Sequence, residues 1–230
     1  MHIQILDLVE GAKKATGVAV IIDVFNAFSV EAYISNNNAK TIIPIGDEKI
    51  AYQLKQKTPS LILVGERHGK ILPGFDYPNS PTAIESINFT GKTIVHTTSA
   101  GTQGISNAIN ADIILTGSLV NAKAIAEYIK NNHYKEVSLV CMGFETKQPT
   151  SEDTLCARYI KDLLENNDTN YINQEIENLK TTSCINFFDK KTQDIFPETD
   201  FYLCTQLNKF NFVLEIIKDK NIYCVKKINL

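Results

Sequence analysis

The chain has no excess of positive charge. Lys and Arg number 23 against 26 Asp and Glu, a formal net charge of −3. No polybasic run appears, so neither nucleic acid nor a membrane surface finds a footprint. No apolar stretch approaches the length that spans a bilayer. The first twenty residues hold Asp7, Glu10, Lys13 and Lys14 among the apolar ones and do not read as a secretory signal. Five cysteines (Cys141, Cys156, Cys184, Cys204, Cys224) form an odd set with no C-x-x-C pair. Widely spread and mostly in apolar surroundings, they read as reduced, buried thiols of a cytoplasmic protein. Several catalytic signatures are missing as well. There is no G-x-G-x-x-G, no G-x-S-x-G and no histidine pair at zinc spacing. Gly65 to Lys70 has three residues between its glycines where a P-loop has four, and Ile71 stands where the metal-binding hydroxyl would be. Asp23-Val24-Phe25 lacks the second aspartate of a D-x-D phosphatase pair.

What remains is ordinary globular composition: 230 residues, 43% hydrophobic and 21% charged, enough for one sizeable core and one domain. Strands are expected at residues 2–6, 18–22, 41–45, 61–64, 92–97, 112–116 and 137–141. Helices are expected at 27–35, 47–57, 81–87, from 102 through 108, 120–130 and 151–164. The strands are apolar runs, not alternating ones, and they alternate with helices. That pattern predicts a three-layer α/β fold, a mostly parallel sheet covered by helices on both faces. Pro44 marks an edge or a strand end. Residues 165–196 are more polar and read as a helical cap or insertion. Residues 211–217 and 221–228 flank Lys218-Asp219-Lys220 and read as a terminal hairpin that gives the sheet an antiparallel edge.

Residues 65–81 stand out. They come after the apolar run Leu61–Val64, show no helical or strand period, and hold three glycines and three prolines. A loop this long in a compact domain is usually functional or disordered. Ile71, Leu72, Phe75 and Tyr77 are residues that pin a loop down, so an ordered, chemistry-bearing loop is expected.

Ligands of open α/β sheets bind beyond the carboxyl ends of the strands. The residues just past the expected strands include Asp23; Glu66 and Arg67; Thr98, Ser99, Gly101 and Thr102; Gly117, Ser118 and Asn121; and Glu152 with Asp153. Hydroxyls, backbone N–H groups and helix N-termini suit an anion. Carboxylates with oxygen neighbours suit Mg²⁺, which keeps waters and takes one or two carboxylates plus a substrate phosphate. Together they point to a metal-assisted reaction at a phosphate ester. Plainer roles exist for each group. Asp23 is placed to cap a helix, Thr150 and Asp153 have capping-box spacing, Asp76 and Asn79 suit Asx turns, and His96 reads as core.

The motifs Asp23-Val24-Phe25-Asn26-Ala27-Phe28-Ser29, Gly65-Glu66-Arg67 with Pro73-Gly74-Phe75-Asp76 and Asn79-Ser80-Pro81, Thr97–Thr102, Gly117-Ser118 with Asn121-Ala122, and Glu152-Asp153-Thr154-Leu155 occur in that order. In order and spacing, over most of residues 18–165, the chain resembles the 2-phosphosulfolactate phosphatase family. The resemblance implies a cytoplasmic, Mg²⁺-dependent acid phosphatase. Its family reaction takes 2-phospho-3-sulfolactate to 3-sulfolactate and phosphate, a step toward coenzyme M. The pattern departs at Asn26, where the family has arginine, at Phe28, where it has threonine, and at His68, where it commonly has glycine. Losing one charge-assisted hydrogen bond is worth roughly 1.5–3 kcal/mol, which leaves His68 and Lys70 as the nearest groups to make up the charge.

The expected site is therefore Asp23, Glu66 and Asp153 as metal ligands, with Arg67 on the phosphoryl group or a second anionic group. Asn26, His68, Asn79, Ser80, Thr98, Ser99, Gly101, Thr102, Gly117, Ser118 and Asn121 would surround the substrate. The substrate is a small phosphorylated acid. A non-catalytic anion-binding relative, and an isomerase or lyase of a phosphorylated acid, are the alternatives. A domain of this size often forms a homodimer, and no residue marks its interface.

Overall fold

The computed structural model describes residues 1–219 and 222–230. The chain opens with His2–Asp7 (β1), Leu8–Lys14 (α1), Val18–Ile22 (β2), Ala27–Asn36 (α2), Thr41–Pro44 (β3) and Glu48–Lys57 (α3). It continues through Ile62–Arg67 (β4), Lys70–Ile71 (β5), Pro81–Ile84 (α4), Thr93–Thr97 (β6), Gly101–Asn107 (α5) and Ile113–Gly117 (β7). After a short 3₁₀ turn come Ala122–Asn131 (α6), Glu136–Cys141 (β8), Ser151–Glu165 (α7) and Ile172–Leu179 (α8). Glu198–Cys204 (α9), Phe212–Asp219 (β9) and Ile222–Asn229 (β10) end it. The fold is α/β with a mostly parallel sheet, as the strand and helix alternation predicts.

β2 shows why both faces are covered. All five of its residues are buried, and successive side chains leave opposite faces of a strand. Val18, Val20 and Ile22 enter one core with Leu115, Leu139 and the inner faces of α6 and α7. Ala19 and Ile21 enter the other with Ala12, Ile105 and Val140. A third, smaller core of Ala51, Leu61, Leu63, Leu72, Phe75 and Val95 sits under the 65–81 segment.

The sheet order is β1-β8-β2-β7-β9-β10-β3-β6-β4-β5. The terminal hairpin is present, but it is not an edge. β9 pairs antiparallel with β7 and β10 antiparallel with β3, so the hairpin lies in the middle and joins two parallel sets. Its position depends on long-range pairing that local pattern does not encode. Lys220, at the end of the expected turn, and Asn221, at the expected start of the second strand, lie outside the described residues. Pro44 is a strand end, since β3 itself is flanked by β10 and β6.

Three antiparallel steps separate the two parallel sets, so the sets run in opposite senses within the sheet. Their carboxyl ends still meet. Twist of about 20–25° per strand step, over the steps from β2 to β4, turns one set by well over a right angle. The contact is sealed by α5, which leaves β6 and lies on β2. A side-chain carbon on Gly104 would stand 2.4 Å from Ile21 Cγ2 and 2.5 Å from Met142 Sδ. Only glycine lets the helix come this near.

Segment 65–81 is ordered, though its start is not loop. β4 runs on to Arg67 and pairs with β5, Glu66 opposite Ile71 and Arg67 opposite Lys70. The turn residues His68 and Gly69 both have positive φ, 53° and 74°, as a two-residue hairpin requires. Strands this short leave no period to read. Farther on, Asp76 accepts from Leu63 N at 2.8 Å and Lys55 Nζ at 3.1 Å, tying the segment back to β4.

Gly104→Val is expected to destabilise the chain by about 1–3 kcal/mol, as overpacking does. Urea unfolding should show a lower midpoint with an unchanged slope. An unshifted midpoint would mean that α5 does not depend on this close approach.

Candidate active site

The site is built from strand ends. Asp23 comes directly after β2, Glu66 lies near the end of β4, and Glu152 and Asp153 open α7. Two of these carboxylates, Asp153 and Glu66, are fixed by backbone N–H groups from the turns around them. Asp153 Oδ1 accepts from Val24 N at 2.9 Å and its Oδ2 from Gly143 N at 2.8 Å, bracing the turns after β2 and β8 together. No side-chain cap from Thr150 is formed at α7, so the expected capping box is absent. Glu66 Oε1 accepts from Ser99 N at 2.8 Å and its Oε2 from Gly69 N at 2.9 Å. Asp23 lies at the starts of both α2 and α5, where the Ala27 and Gly101 N–H groups meet its carboxylate. A side-chain carbon on Gly101 would be 3.0 Å from Asp23 Oδ2, so glycine is what admits the carboxylate here.

These acids are buried near one another, and their proton affinities show it. Burial, then the charges of Asp153 and Glu66, push Asp23 well above the usual carboxylate range, against the pull of the Ala27 and Gly101 N–H groups. Burial, then the charge of Glu152, raises Asp153 to about 7, against the Val24 and Gly143 N–H groups. Burial raises Glu152 too. Such raised values describe carboxylates short of a counter-charge.

All four acids line one cleft of about 990 Å³. Its polar side also carries Asn26, Asn79, Ser80, Thr98, Ser99 and Lys70, with His68 at the tip of the β4–β5 hairpin. Phe25, Phe144, Phe187, Ile195 and Phe196 also line it. Ser99 Oγ is buried without a hydrogen-bond partner. His68 Nδ1 meets Glu145 Oε1 at 2.5 Å, and Lys147 holds the other oxygen of Glu145 at 2.8 Å. This cluster links the hairpin tip to the loop before α7.

Other expected residues lie elsewhere. Arg67 is not among the lining residues. Its guanidinium meets Glu48 at 3.0 Å and donates to the carbonyls of Gly46 and Glu66 at 2.8 Å each. Alternation along β4 explains this, because Glu66 faces the cleft and its neighbour faces away. Gly117, Ser118 and Asn121 do not line the cleft either. Ser118 N donates to Asn121 Oδ1 at 3.0 Å in a buried capping box, and Ser118 Oγ lies 2.6 Å from Ser29 Oγ. Gly101 and Thr102 sit behind the lining residues, with Thr102 Oγ1 donating to Thr98 O at 3.1 Å. Asn79 does more than fold its own loop, since its Oδ1 lies 3.0 Å from His96 Nε2.

Sequence reasoning missed Asp200. It is wholly buried on α9 and accepts from Ser80 Oγ at 2.7 Å, Thr82 N at 2.9 Å and Asn26 Nδ2 at 3.1 Å. Burial raises its pKa, against those hydrogen bonds. Asp200-Phe201-Tyr202-Leu203-Cys204 resembles the family only weakly, and nothing in that stretch signals a reach to Ser80, Thr82 and Asn26.

Among the described residues, no three His, Cys, Asp or Glu side chains converge closely enough to hold one ion by themselves. The donors present are oxygens, buried and short of positive charge. That chemistry fits a hard cation taking one or two carboxylates and completing its shell with water and a ligand.

Stability should depend on pH. A raised acid holds its proton more tightly folded than unfolded. Stability therefore falls as pH rises from the unfolded value, about 3.9 for Asp, through the folded one. For Asp153 that window ends at about 7. Asp153→Asn loses a backbone hydrogen bond at every pH, a constant offset. In chelator, its stability relative to the unaltered chain should rise steadily from pH 4 to 7 in urea unfolding at stepped pH. A difference that does not vary with pH would overturn the buried-acid account.

A sequence profile described as 2-phosphosulpholactate phosphatase matches residues 3–219. Three similar proteins each carry the name "Probable 2-phosphosulfolactate phosphatase". One from Caldicellulosiruptor saccharolyticus is 44% identical over 149 residues, 63% of this chain and 61% of that one. One from Carboxydothermus hydrogenoformans is 32% identical over 228 residues, 94% of this chain and 93% of that one. One from Bacillus subtilis is 29% identical over 213 residues, 92% of each. With the profile match running nearly end to end, the chain belongs to the 2-phosphosulfolactate phosphatase family, a family of phosphoric monoester hydrolases.

Proposed function

We propose that the cleft hydrolyses a small anionic phosphate monoester, 2-phospho-3-sulfolactate or a related phosphorylated acid, with Mg²⁺ held on carboxylates drawn from Asp23, Glu66 and Asp153. The observation that carries the reading is the acid cluster, with Asp23, Glu152 and Asp153 buried and raised in proton affinity, facing hydroxyl and amide groups in one cleft whose described basic side chains, Lys70 and His68, stand at its exposed rim. A phosphate dianion would be repelled by these acids alone. Bound Mg²⁺ supplies the missing positive charge and a water of lowered pKa.

The chain's own residues do the rest. Backbone N–H groups fix Asp153 and Glu66 before any ligand arrives, so charge is met by groups already in place. Ser99 Oγ, buried without a protein partner, becomes a donor to a phosphoryl oxygen once its side chain turns toward the cleft. Lys70 and His68, on the rim, serve the second anionic group. Arg67 reaches the substrate only by leaving Glu48, so we assign it to holding the end of β4. The five free cysteines fit a reducing compartment, and no helix among the described residues is long and apolar enough to cross a membrane.

The test is phosphate release from small phosphorylated acids with and without Mg²⁺. Asp23→Ala should lower kcat by roughly two to four orders of magnitude, the scale of several kcal/mol of transition-state charge stabilisation. Activity that survives both full chelation and Asp23→Ala would sink the metal reading.

One observation favours a second reading, a non-catalytic anion-binding protein. No arginine lines the cleft among the described residues, and both amide hydrogens of Asn26 are taken by protein acceptors. Phosphate and Mg²⁺ that raise the melting temperature without turnover would establish it.

A further inference from the structure

Glu31 on α2 and His96 on β6 are both fully buried, at 0% exposure. Glu31 Oε1 lies 3.1 Å from His96 Nδ1, and its Oε2 has no partner. Apolar side chains of similar volume would fill this space without the desolvation penalty of a buried pair. Packing alone therefore gives no reason for it.

The pair connects to one place in the cleft. His96 Nε2 lies 3.0 Å from Asn79 Oδ1, and Asn79 lines the wall beside Asn26 and Ser80. The other two side chains on that wall are already committed. Asn26 Nδ2 donates to Asn79 O at 3.0 Å and to Asp200 Oδ2 at 3.1 Å, while its Oδ1 accepts from Cys204 Sγ at 3.2 Å. Ser80 Oγ donates to Asp200 Oδ1 at 2.7 Å. Of the three, Asn79 alone keeps amide hydrogens without a protein acceptor among the described residues.

We propose that His96, held by Glu31, is a positioning residue: it donates from Nε2 to Asn79 Oδ1 and so turns the Asn79 amide nitrogen into the cleft as a donor to the bound phosphate. The inference rests on reading the cleft as a phosphate site. The orientation of Asn79 decides the sign of its contribution. With its carbonyl on His96, the amide presents hydrogens to an anion. Flipped, it would give those hydrogens to a bare imidazole nitrogen and present a carbonyl oxygen, which repels phosphate. Burial favours the first arrangement. A Glu31–His96 pair with no net charge carries a hydrogen on Nε2 unless the acid proton sits on Glu31 Oε2, where it has no acceptor. The flipped arrangement needs a bare Nε2, which leaves in the core either a net negative charge or an unpaired acid proton on Oε2, and both are costly.

The probe is inorganic phosphate, titrated calorimetrically into the full chain with Mg²⁺ present, alongside KM and kcat for 2-phospho-3-sulfolactate. His96→Gln places an amide nitrogen near the Nε2 position and should keep phosphate affinity within about threefold. His96→Asn is too short to reach Asn79 and should weaken it about tenfold, the scale of one hydrogen bond, with KM rising more than kcat falls. If His96→Asn does not fold, Asn79→Ala on the cleft wall should show the same weakening. Nitrogen-15 NMR of His96 in the unaltered chain should show Nε2 protonated. A bare Nε2, or phosphate bound as tightly by folded His96→Asn or Asn79→Ala as by the unaltered chain, overturns the proposal. Phosphate binding without turnover by the unaltered chain removes the hydrolase reading alone, and the variants still decide this one. An unaltered chain that neither binds nor turns over phosphate removes both.

Discussion

Gathering like charges away from water is the constraint on which this structure depends. Asp23 is pressed by the charges of Asp153 and half-buried Glu66, Asp153 by that of Glu152, and the burial of Asp23, Asp153 and Glu152 makes the repulsion stronger. The fold tolerates them because backbone N–H groups meet them. Val24 and Gly143 hold Asp153, Ser99 and Gly69 hold Glu66, and the start of α5 lies against Asp23. These donors come from connections after β2, β4, β6 and β8. The acids therefore fasten together the turns that place them, and the same contacts serve both the fold and the cleft.

The packing is subordinate to that meeting. α5 can bring the Thr98–Ala100 turn beside Asp23 only because Gly104 has no side chain to hold it off Ile21 and Met142. Among the lining residues, Phe25 and Phe187 rings lie 4.7 Å apart and Phe187 and Phe196 5.5 Å apart. The cleft thus carries an aromatic cluster as well as its acids. Segment 180–197 supplies Phe187, Ile195 and Phe196 together with polar Ser183, Asn186 and Asp194.

Much of the layered fold was legible because it rests on local signals. Val18–Ile22 is a continuous β-branched and apolar run, and such runs alternating with helices specify covered parallel strands. The acids at strand ends were legible by the same logic. The site's depth was not. Alternation along β4 sends Arg67 away from Glu66, and it shows only once the strand is known to continue past Gly65. The central place of the hairpin depends on pairing with β7 and β3, far away in sequence. Asp200 acts across more than a hundred residues on Ser80 and Thr82. Glu31 and His96 did leave a trace, a single acid within the apolar stretch Phe28–Ile34 and a single histidine within Ile94–Thr97. Neither means much until the two are seen to face each other.

The hairpin's position has a consequence for how the chain assembles. The two parallel sets are complete by Cys141, yet among the described residues no strand pairing joins them until Phe212–Asp219 and Ile222–Asn229 lie between. The join to β3 is the slighter one, a single register pair between Val225 and Ile42. During synthesis the sheet thus remains two pieces until the last strand emerges. Closing it requires contacts of very long sequence separation, the kind whose loop-closure entropy slows folding. Until then β7 and β3 each present an open edge to solvent, and open edges are where chains pair with the wrong partner.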